Sequence, residues 1–185
     1  MKTFKDYILP IKNALSEELC DQIVNEYKNS DEWEMGTLSG LVNKELRNCK
    51  LIGISKEKTI FKNYAVRKNL DDELFFSVGK AVALYKEKFS QCKVEVDEGY
   101  TLLQYEKGQF IKNHIDTGKE SVRSLSCSIG LNNEFEGGEF SFFNKAYTYR
   151  LNKGEILLFP SCFTYPHEIL PITSGTRYSI ITWLK

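Results

Sequence analysis

The chain contains only two histidines, and one of them belongs to a His-x-Asp motif. His114 and Asp116 lie two positions apart in a strand-like segment, so both side chains would point to the same side. His167 lies far enough along the chain to return on a different strand. Two imidazoles and one carboxylate on one face suit a non-haem Fe(II) ion whose other coordination positions stay open. We therefore predict that His114, Asp116 and His167 form an iron site, which would also be the catalytic centre.

Two other interpretations of these residues compete with an iron site. An isolated His-x-Asp pair is common, so the histidines could be unrelated residues that form hydrogen bonds or lie on the surface. The joint pattern disfavours this, because both histidines of the chain fall within it. Structural zinc sites close with four ligands and prefer cysteine, and the five cysteines include no Cys-x-x-Cys pair. We expect these cysteines to be reduced thiols.

An arginine after the second histidine suits the binding of a small carboxylate ligand. Arg177 opens a predicted strand in which Ile181 and Trp183 lie on its face. The opposite orientation would expose these two apolar side chains, so we predict that Arg177 points inward. A buried guanidinium needs an anion, and Asp116 would already be engaged by the metal. A carboxylate of a small ligand would match both the charge and the fork geometry of Arg177.

Two further predicted strands have features of a ligand cavity. Tyr105 lies shortly before His114, and its phenol could donate to a ligand carboxylate. Packing of Tyr105 in the core is an equally open interpretation. In the strand predicted at 124–131, Ser126 and Ser128 alternate with larger apolar residues. If the serine face points inward, it leaves room for a ligand.

The first half of the chain is predicted to supply helices that support the site. A short strand at 7–11 contains Pro10, which favours the edge of a sheet. Helical spacing predicts one helix from the N-cap Ser16 to about residue 29, and a second helix that begins after Asn69.

The segments between these helices are predicted to be a loop at 30–46, a strand at 48–54 and an exposed connection at 55–68. The connection is rich in lysine and arginine. It is either a mobile lid over the site or a solvated loop.

Beyond about residue 95 the periodicity changes from helical to strand-like. Eight short β-rich runs follow, separated by glycine and asparagine turn residues. These runs lie at 100–105, 110–115, 124–131, 138–143, 147–151, 155–159, 167–170 and 177–183. This number of short strands favours a closed or double-sheet architecture such as a jelly roll, covered on one outer face by about two helices. The predicted fold class is thus mostly β with N-terminal helices (α+β).

Composition limits the partners that we expect. Lysine and arginine total 25, and aspartate and glutamate total 25. This balance gives no sign of a nucleic-acid partner. No apolar run is long enough to span a bilayer, and the first residues lack the apolar region of a secretory signal. We therefore expect a cytoplasmic protein without a membrane partner, and its oligomeric state remains open.

The motifs from about residue 100 to 185 form a family pattern. They are Leu103-Gln104-Tyr105, Gly108, His114-Ile115-Asp116, Leu131-Asn132, Glu136-Gly137-Gly138-Glu139, Lys153-Gly154-Glu155, Leu158-Phe159-Pro160, His167, Gly175-Thr176-Arg177-Tyr178 and Trp183. In this order and spacing the chain resembles the 2-oxoglutarate and Fe(II)-dependent dioxygenases, in their prolyl 4-hydroxylase-like branch.

The resemblance implies a double-stranded β-helix (jelly-roll) core. It implies a single domain over 1–185, in which 1–95 gives helical support and the first strands and 96–185 forms the core with the metal site. It further implies that His114, Asp116 and His167 hold Fe(II), and that Arg177 and Tyr105 hold the far carboxylate of 2-oxoglutarate. O2 and 2-oxoglutarate would be consumed as an unactivated C–H bond is hydroxylated, with ascorbate as an accessory reductant. The implied substrate is a prolyl residue of a protein or peptide.

The chain departs from this family pattern at Gly130, where many relatives have a tyrosine that also supports the cosubstrate. Tyr147 and Tyr149 are candidates to replace that contact. Collagen-modifying relatives have lysine at the position of Arg177, which disfavours a collagen-like substrate. Nucleic-acid demethylases usually have a second arginine where this chain has Trp183, and that branch is disfavoured. A hydroxylase of free amino acids or other small molecules, and a cupin-like metal- or ligand-binding protein without oxygenase activity, remain alternatives.

Overall fold

The computed structural model describes residues 2–37, 41–55, 64–118 and 122–185. Its helices are a 3-10 turn (Phe4–Tyr7), α1 (Glu17–Tyr27) and α2 (Tyr64–Lys88). Its strands are β1 (Leu9–Ile11), β2 (Glu34–Met35), β3 (Arg47–Asn48), β4 (Lys50–Gly53), β5 (Thr101–Tyr105), β6 (Phe110–His114), β7 (Leu125–Gly130), β8 (Phe135–Gly137), β9 (Phe140–Phe142), β10 (Tyr147–Tyr149), β11 (Ile156–Pro160), β12 (His167–Ile169), β13 (Ile172–Gly175) and β14 (Arg177–Leu184).

Most of these strands form two antiparallel sheets. The larger sheet has the order β1-β11-β7-β14-β5-β4-β2, and the smaller sheet has the order β10-β9-β12-β6-β3. Strands β8 and β13 pair with each other in a third sheet. Neighbouring strands are mostly distant in sequence, as in a jelly roll. The predicted fold class, a β-rich double-sheet core with two α-helices, is confirmed.

The two faces of the larger sheet pack in different cores. Along β14, Ile180 and Leu184 belong to a core that also contains buried residues of both α-helices. Ile181 packs instead with residues of the smaller sheet, such as Phe140. Because side chains alternate along a strand, Arg177 lies on the same face as Ile181. Arg177 therefore points between the two sheets, as the sequence alternation predicts.

Helix α1 begins and packs as its sequence predicts. The Ser16 hydroxyl accepts a hydrogen bond from the backbone N–H of Leu19 at 3.1 Å and caps the first turn. Cys20, Ile23 and Tyr27 follow at helical spacing and are buried against the larger sheet. Strand β1 precedes this helix and lies at an edge of the larger sheet, which agrees with the position of its proline.

Helix α2 begins earlier than predicted, and its first residues belong to the segment 55–68 that we expected to be an exposed connection. Arg67 in this first part is only 4% exposed. Its guanidinium donates to the Glu32 carboxylate at 2.6 Å and to the Gly53 carbonyl at 3.2 Å. Both partners lie far away in sequence, so local pattern could not reveal that this arginine is buried. The rest of the predicted lid, 56–63, lies outside the described residues.

The segment predicted as one strand at 48–54 is divided between the two sheets. β3 pairs with β6 in the smaller sheet, whereas β4 pairs with β5 in the larger one. Cys49 lies at the crossing and is fully buried. The single-strand prediction is wrong because alternation within a short run does not tell which sheet each half joins.

Three strands had no counterpart in the sequence prediction. β2 lies inside the predicted loop 30–46, and β8 and β13 coincide with segments that we interpreted as turns. Gly137 and Gly175 in the latter two strands have positive φ angles of 77° and 73°. Glycines with positive φ angles are typical of turns. These two segments are strands because β8 and β13 pair with each other. Neither described α-helix is long and apolar enough to cross a membrane.

Candidate active site

His114 and His167 face each other across two adjacent strands of the smaller sheet. They form a direct cross-strand pair between β6 and β12, with ring centroids 4.4 Å apart. The register shifts beside this pair, since Ile169 is opposite Ile111 and β6 contains one more residue than β12 between the two pairs. Such a bulge re-aims side chains, and here both Ile111 and His114 line the same cavity.

Asp116 completes the cluster from just beyond the end of β6. Its Oδ1 lies 3.4 Å from His114 Nε2, and its Oδ2 lies 3.5 Å from His167 Nε2. One ligand atom from each of the three residues lies within 4.8 Å of the others. The structure thus brings the three predicted ligands together. The position of Asp116 beside His114 does not result from side-chain alternation along one strand, however, because β6 ends at His114.

The two imidazoles are held with the same nitrogen toward the cluster. His114 Nδ1 lies 2.9 Å from the Lys112 carbonyl, and His167 Nδ1 lies 3.2 Å from the Tyr165 carbonyl. A carbonyl only accepts, so Nδ1 is the donor and Nε2 presents its lone pair to the centre of the cluster. This is how ligating histidines are oriented in metal sites. Burial lowers the pKa of His167 to about 4, although Asp116 opposes this, so the ring is neutral at neutral pH.

The Asp116 carboxylate is fixed by a chain of buried hydroxyls. Ser126 Oγ donates to Asp116 Oδ2 at 2.6 Å and lies 2.8 Å from Ser161 Oγ. Arg123 donates to the Asp116 carbonyl at 3.2 Å. Burial alone would raise the pKa of Asp116, but the neighbouring His167 and His114 and the hydrogen bond from Ser126 bring this pKa below its usual range. The carboxylate is therefore ionised, as a metal ligand must be.

Arg177 is a buried cation without a carboxylate partner among the described residues. It is 2% exposed, and its Nη1 donates to Ser179 Oγ at 2.9 Å. Nη2 is buried and has no hydrogen-bond partner in the part of the chain that the structure describes. The guanidinium carbon lies 5.2 Å from the Tyr105 ring centroid and 5.6 Å from that of Phe140. A buried guanidinium with an unused donor is costly, so this position fits the carboxylate of a ligand.

Tyr105 lies directly beside Arg177, as its cross-strand partner between β5 and β14. The side chain is fully buried and lines the cavity. Burial, and next the neighbouring Cys49 thiol, raise the pKa of Tyr105, so the phenol is protonated and able to donate. Its hydroxyl is hydrogen-bonded to the Cys49 thiol, a weak partner that a ligand carboxylate would outcompete.

The cavity between the two sheets has a volume of about 640 Å³, within the range of small-molecule sites. The metal-ligand cluster and Arg177 both line it, and so do Ser126 and Ser128 of the predicted serine face. Among the charged residues that line the cavity, sequence reasoning missed Arg47 and Arg123. Arg123 has its guanidinium carbon 3.6 Å from the Trp183 ring centroid and pairs with Glu98 at 2.7 Å. No local motif marks either arginine.

Gly130 does not leave an empty place for a tyrosine. A Cβ atom at this position would lie 2.2 Å from the Asn152 carbonyl oxygen, because the segment after β10 crosses here. The two tyrosines that we considered as replacements do not line the cavity. Tyr149 donates its hydroxyl to Glu155 at 3.0 Å, outside the site. Replacement of the missing contact by Tyr147 or Tyr149 is therefore wrong.

Residues 100–185 match the family model described as the 2OG-Fe(II) oxygenase superfamily. The match contains the whole His/Asp/His cluster, Tyr105 and Arg177. These residues belong to the 2OG-Fe(II) oxygenase superfamily. For these residues the prediction of the superfamily is confirmed, and Fe(II) and 2-oxoglutarate are the cofactor and cosubstrate of that superfamily.

Curated relatives of this oxygenase domain are named PKHD-type hydroxylases. One from Idiomarina loihiensis is 33% identical over 91 residues, which cover 46% of this chain and 41% of the relative. Another, from Prochlorococcus marinus, is 27% identical over 176 residues, which cover 92% of this chain and 74% of the relative. The alignment with the first of these relatives thus spans less than half of its length.

Solved structures share the oxygenase fold. A Trichoplax adhaerens prolyl hydroxylase in complex with a hypoxia-inducible-factor peptide fragment has a TM-score of 0.79 at 19% identity, covering 96% of this chain and 83% of that one. A Pseudomonas putida prolyl-4-hydroxylase has a TM-score of 0.74 at 18% identity, covering 97% and 92%. At such identities the likeness shows the fold alone.

Proposed function

We propose that this protein is an Fe(II)- and 2-oxoglutarate-dependent dioxygenase that hydroxylates a prolyl residue in a protein or peptide. The observation that most supports this is the pairing of two features in one cavity. At one place His114, Asp116 and His167 converge, and they are the three ligands that the described residues supply. At another, the buried Arg177 has an unused donor that a dicarboxylate would satisfy.

The donor set of the cluster fits Fe(II). Two neutral imidazoles and one carboxylate would hold the ion on one face and leave positions for the cosubstrate and O2. Fe(II) bound there would supply the oxidising chemistry. O2 and 2-oxoglutarate would be consumed as an unactivated C–H bond is hydroxylated. The chain contributes orientation: the Lys112 and Tyr165 carbonyls fix the two rings, and Ser126 fixes the Asp116 carboxylate.

The other end of the cavity fits the far carboxylate of 2-oxoglutarate. The N–H groups of the Arg177 guanidinium would bind this carboxylate in a bidentate manner. The Tyr105 hydroxyl would turn from Cys49 to donate to the same carboxylate. Leu103 and Phe140 form apolar walls beside these donors. These walls exclude water from the bound cosubstrate and strengthen its ion pair with Arg177.

A peptide or protein substrate is favoured over a free amino acid by one comparison. The Trichoplax prolyl hydroxylase with the same fold is a complex with a peptide. We therefore place the prolyl residue of a polypeptide first among the substrates to be tested.

Anaerobic titration tests the iron and cosubstrate site directly. Fe(II) followed by 2-oxoglutarate should produce a weak visible charge-transfer band in the purified protein. His167→Ala should abolish the band, because only two protein ligands would remain. Lys50→Gln, which removes a partly exposed lysine, is the control and should keep it. If folded wild-type protein binds Fe(II) without developing the band, a non-oxygenase metal-binding protein becomes the better description.

A further inference from the structure

Arg47 is a further cation in the cavity, and none of the roles proposed above uses it. It lies on β3, the edge strand of the smaller sheet, and is paired with Ile111 of β6. Both residues line the cavity together with His114 at the other end of β6. His114 is three residue steps along the strand from Ile111, which places Arg47 about 10 Å from the cluster along the strand direction.

The partners of Arg47 are neutral. Its Nη1 donates to the Thr37 carbonyl at 3.1 Å, and its Nε donates to Cys49 Sγ at 3.4 Å. No described carboxylate lies within ion-pair distance of the guanidinium. These two hydrogen bonds hold the side chain against the wall of the cavity, and no ion pair with a described residue accompanies them.

The charge of Arg47 is not balanced when Fe(II) and 2-oxoglutarate are bound in the cavity. Among the described residues that line the cavity, the charged ones are Asp116 and the arginines Arg47, Arg123 and Arg177. Fe(II), Asp116 and the two carboxylates of 2-oxoglutarate together leave one negative charge, and Arg177 cancels it. Arg123 is paired with Glu98 at 2.7 Å. The positive charge of Arg47 is therefore the one left over when metal and cosubstrate are both bound.

We propose that Arg47 is a specificity-determining residue that binds a carboxylate of the substrate. This inference rests on the proposed function and adds the chemical class of the substrate: an anionic one, with its carboxylate a short distance from the hydroxylated carbon. A strand advances about 3.3 Å per residue, so the side chain of an acidic residue near the prolyl residue could span the gap to Arg47. The main-chain carboxylate of a C-terminal or free proline has the same chemistry.

The test uses matched synthetic probes and the complete chain loaded anaerobically with Fe(II) and 2-oxoglutarate. One short proline-centred peptide, acetylated and amidated at its ends, is made with glutamate, glutamine or lysine as flanking residues. Free L-proline and L-prolinamide form the second pair. Calorimetry then measures the affinity of each probe for the wild type, Arg47→Gln and Lys50→Gln. The last variant removes one positive charge outside the cavity and is the matched control.

We expect wild type to bind the carboxylate probe of at least one pair about tenfold more tightly than its neutral counterpart. The pair that shows the effect identifies the source of the carboxylate. The preference should disappear in Arg47→Gln and persist in Lys50→Gln. Arg47→Glu should bind the lysine-flanked peptide in preference to the glutamate-flanked one, a reversal that loss of packing would not produce.

Several outcomes would overturn the proposal. They are equal affinity for acidic and neutral probes in the wild type, a preference that survives in Arg47→Gln, and no binding of any carboxylate probe. The visible band of the iron–cosubstrate complex separates this failure from failure of the proposed function, since the band depends on His167 and Arg177 but not on Arg47. If Arg47→Gln loses the band through misfolding, Arg47→Lys replaces it. That variant retains the charge and should retain a weakened preference.

Discussion

The hydroxyl of Ser126 donates to Asp116 Oδ2 at 2.6 Å, from the strand next to the one that holds Arg177. Asp116 itself lies beyond the end of β6, where no sheet pairing fixes its side chain. Ser126 is 2% exposed, so water does not compete for the bond. The position of the Asp116 carboxylate, which we propose as a metal ligand, thus depends on Ser126 in the opposite sheet.

Ser126→Ala is expected to weaken Fe(II) binding by about 10-fold to 100-fold, because it removes the hydrogen bond that orients the Asp116 carboxylate. Anaerobic Fe(II) titration without cosubstrate measures this affinity. Ser128→Ala is the control, since its hydroxyl lies at the same cavity but has no hydrogen-bond partner among the described residues. Equal loss of affinity in both variants would mean that Ser126 acts only by packing.

Arg177→Met is expected to have opposite effects on stability and on cosubstrate binding. Removal of a buried guanidinium with an unsatisfied donor should leave the apoprotein as stable as the wild type, or more stable by up to about 3 kcal/mol. Wild type should gain about 2.7 kcal/mol from 2-oxoglutarate at 100 times its Kd, and the variant should gain nothing. Thermal unfolding with and without 2-oxoglutarate and metal measures both effects. A cosubstrate-dependent rise in Tm in Arg177→Met would contradict the role of this arginine.

Tyr105→Phe separates the two interpretations of this tyrosine. If the hydroxyl donates to the cosubstrate, the apparent KM for 2-oxoglutarate should rise about tenfold, as expected for loss of a hydrogen bond to a charged group. Cys49→Ser is the comparison, because it changes the partner of the hydroxyl without removing it. An unchanged KM in Tyr105→Phe would leave Tyr105 as a core residue.

Gly130→Ala should destabilise the protein, because the new methyl group would meet the Asn152 carbonyl oxygen. Overpacking of this kind costs about 1–3 kcal/mol, which lowers Tm by several degrees in a chain of this size. Gly79→Ala is the control within α2, where the added group meets no described atom within 4 Å apart from the adjacent backbone of its own helix, and it should be neutral or stabilising. A Gly130→Ala variant as stable as the wild type would show that the crossing segment moves easily.

The five thiols should react in two groups. Cys20, Cys49 and Cys127 are at most 2% exposed, whereas Cys92 and Cys162 are partly exposed. Burial raises the pKa of Cys20 to about 11, so little thiolate is present at pH 8. Alkylation of the native protein, followed by mass spectrometry, should modify Cys92 and Cys162 first. Rapid modification of Cys127 would indicate that the strands of the larger sheet open.

Residue types and local spacing were sufficient to predict the donor set and the fold class. The chain has only two histidines, so their association with Asp116 could be inferred without knowledge of the fold. Alternation in β14 predicted that Arg177 points inward, because the other orientation would expose Ile181 and Trp183. Strand signals after residue 95 located eight of the strands, since each is a short run bounded by turn residues.

Only the tertiary structure decided the features that depend on contacts between distant segments. Arg47 enters the cavity because the chain crosses from one sheet to the other at Cys49, and no local pattern marks that crossing. Arg67 is buried because Glu32 and Gly53 satisfy its guanidinium. Local sequence sets the period and direction of side chains, whereas pairing and burial depend on partners that the chain supplies from elsewhere.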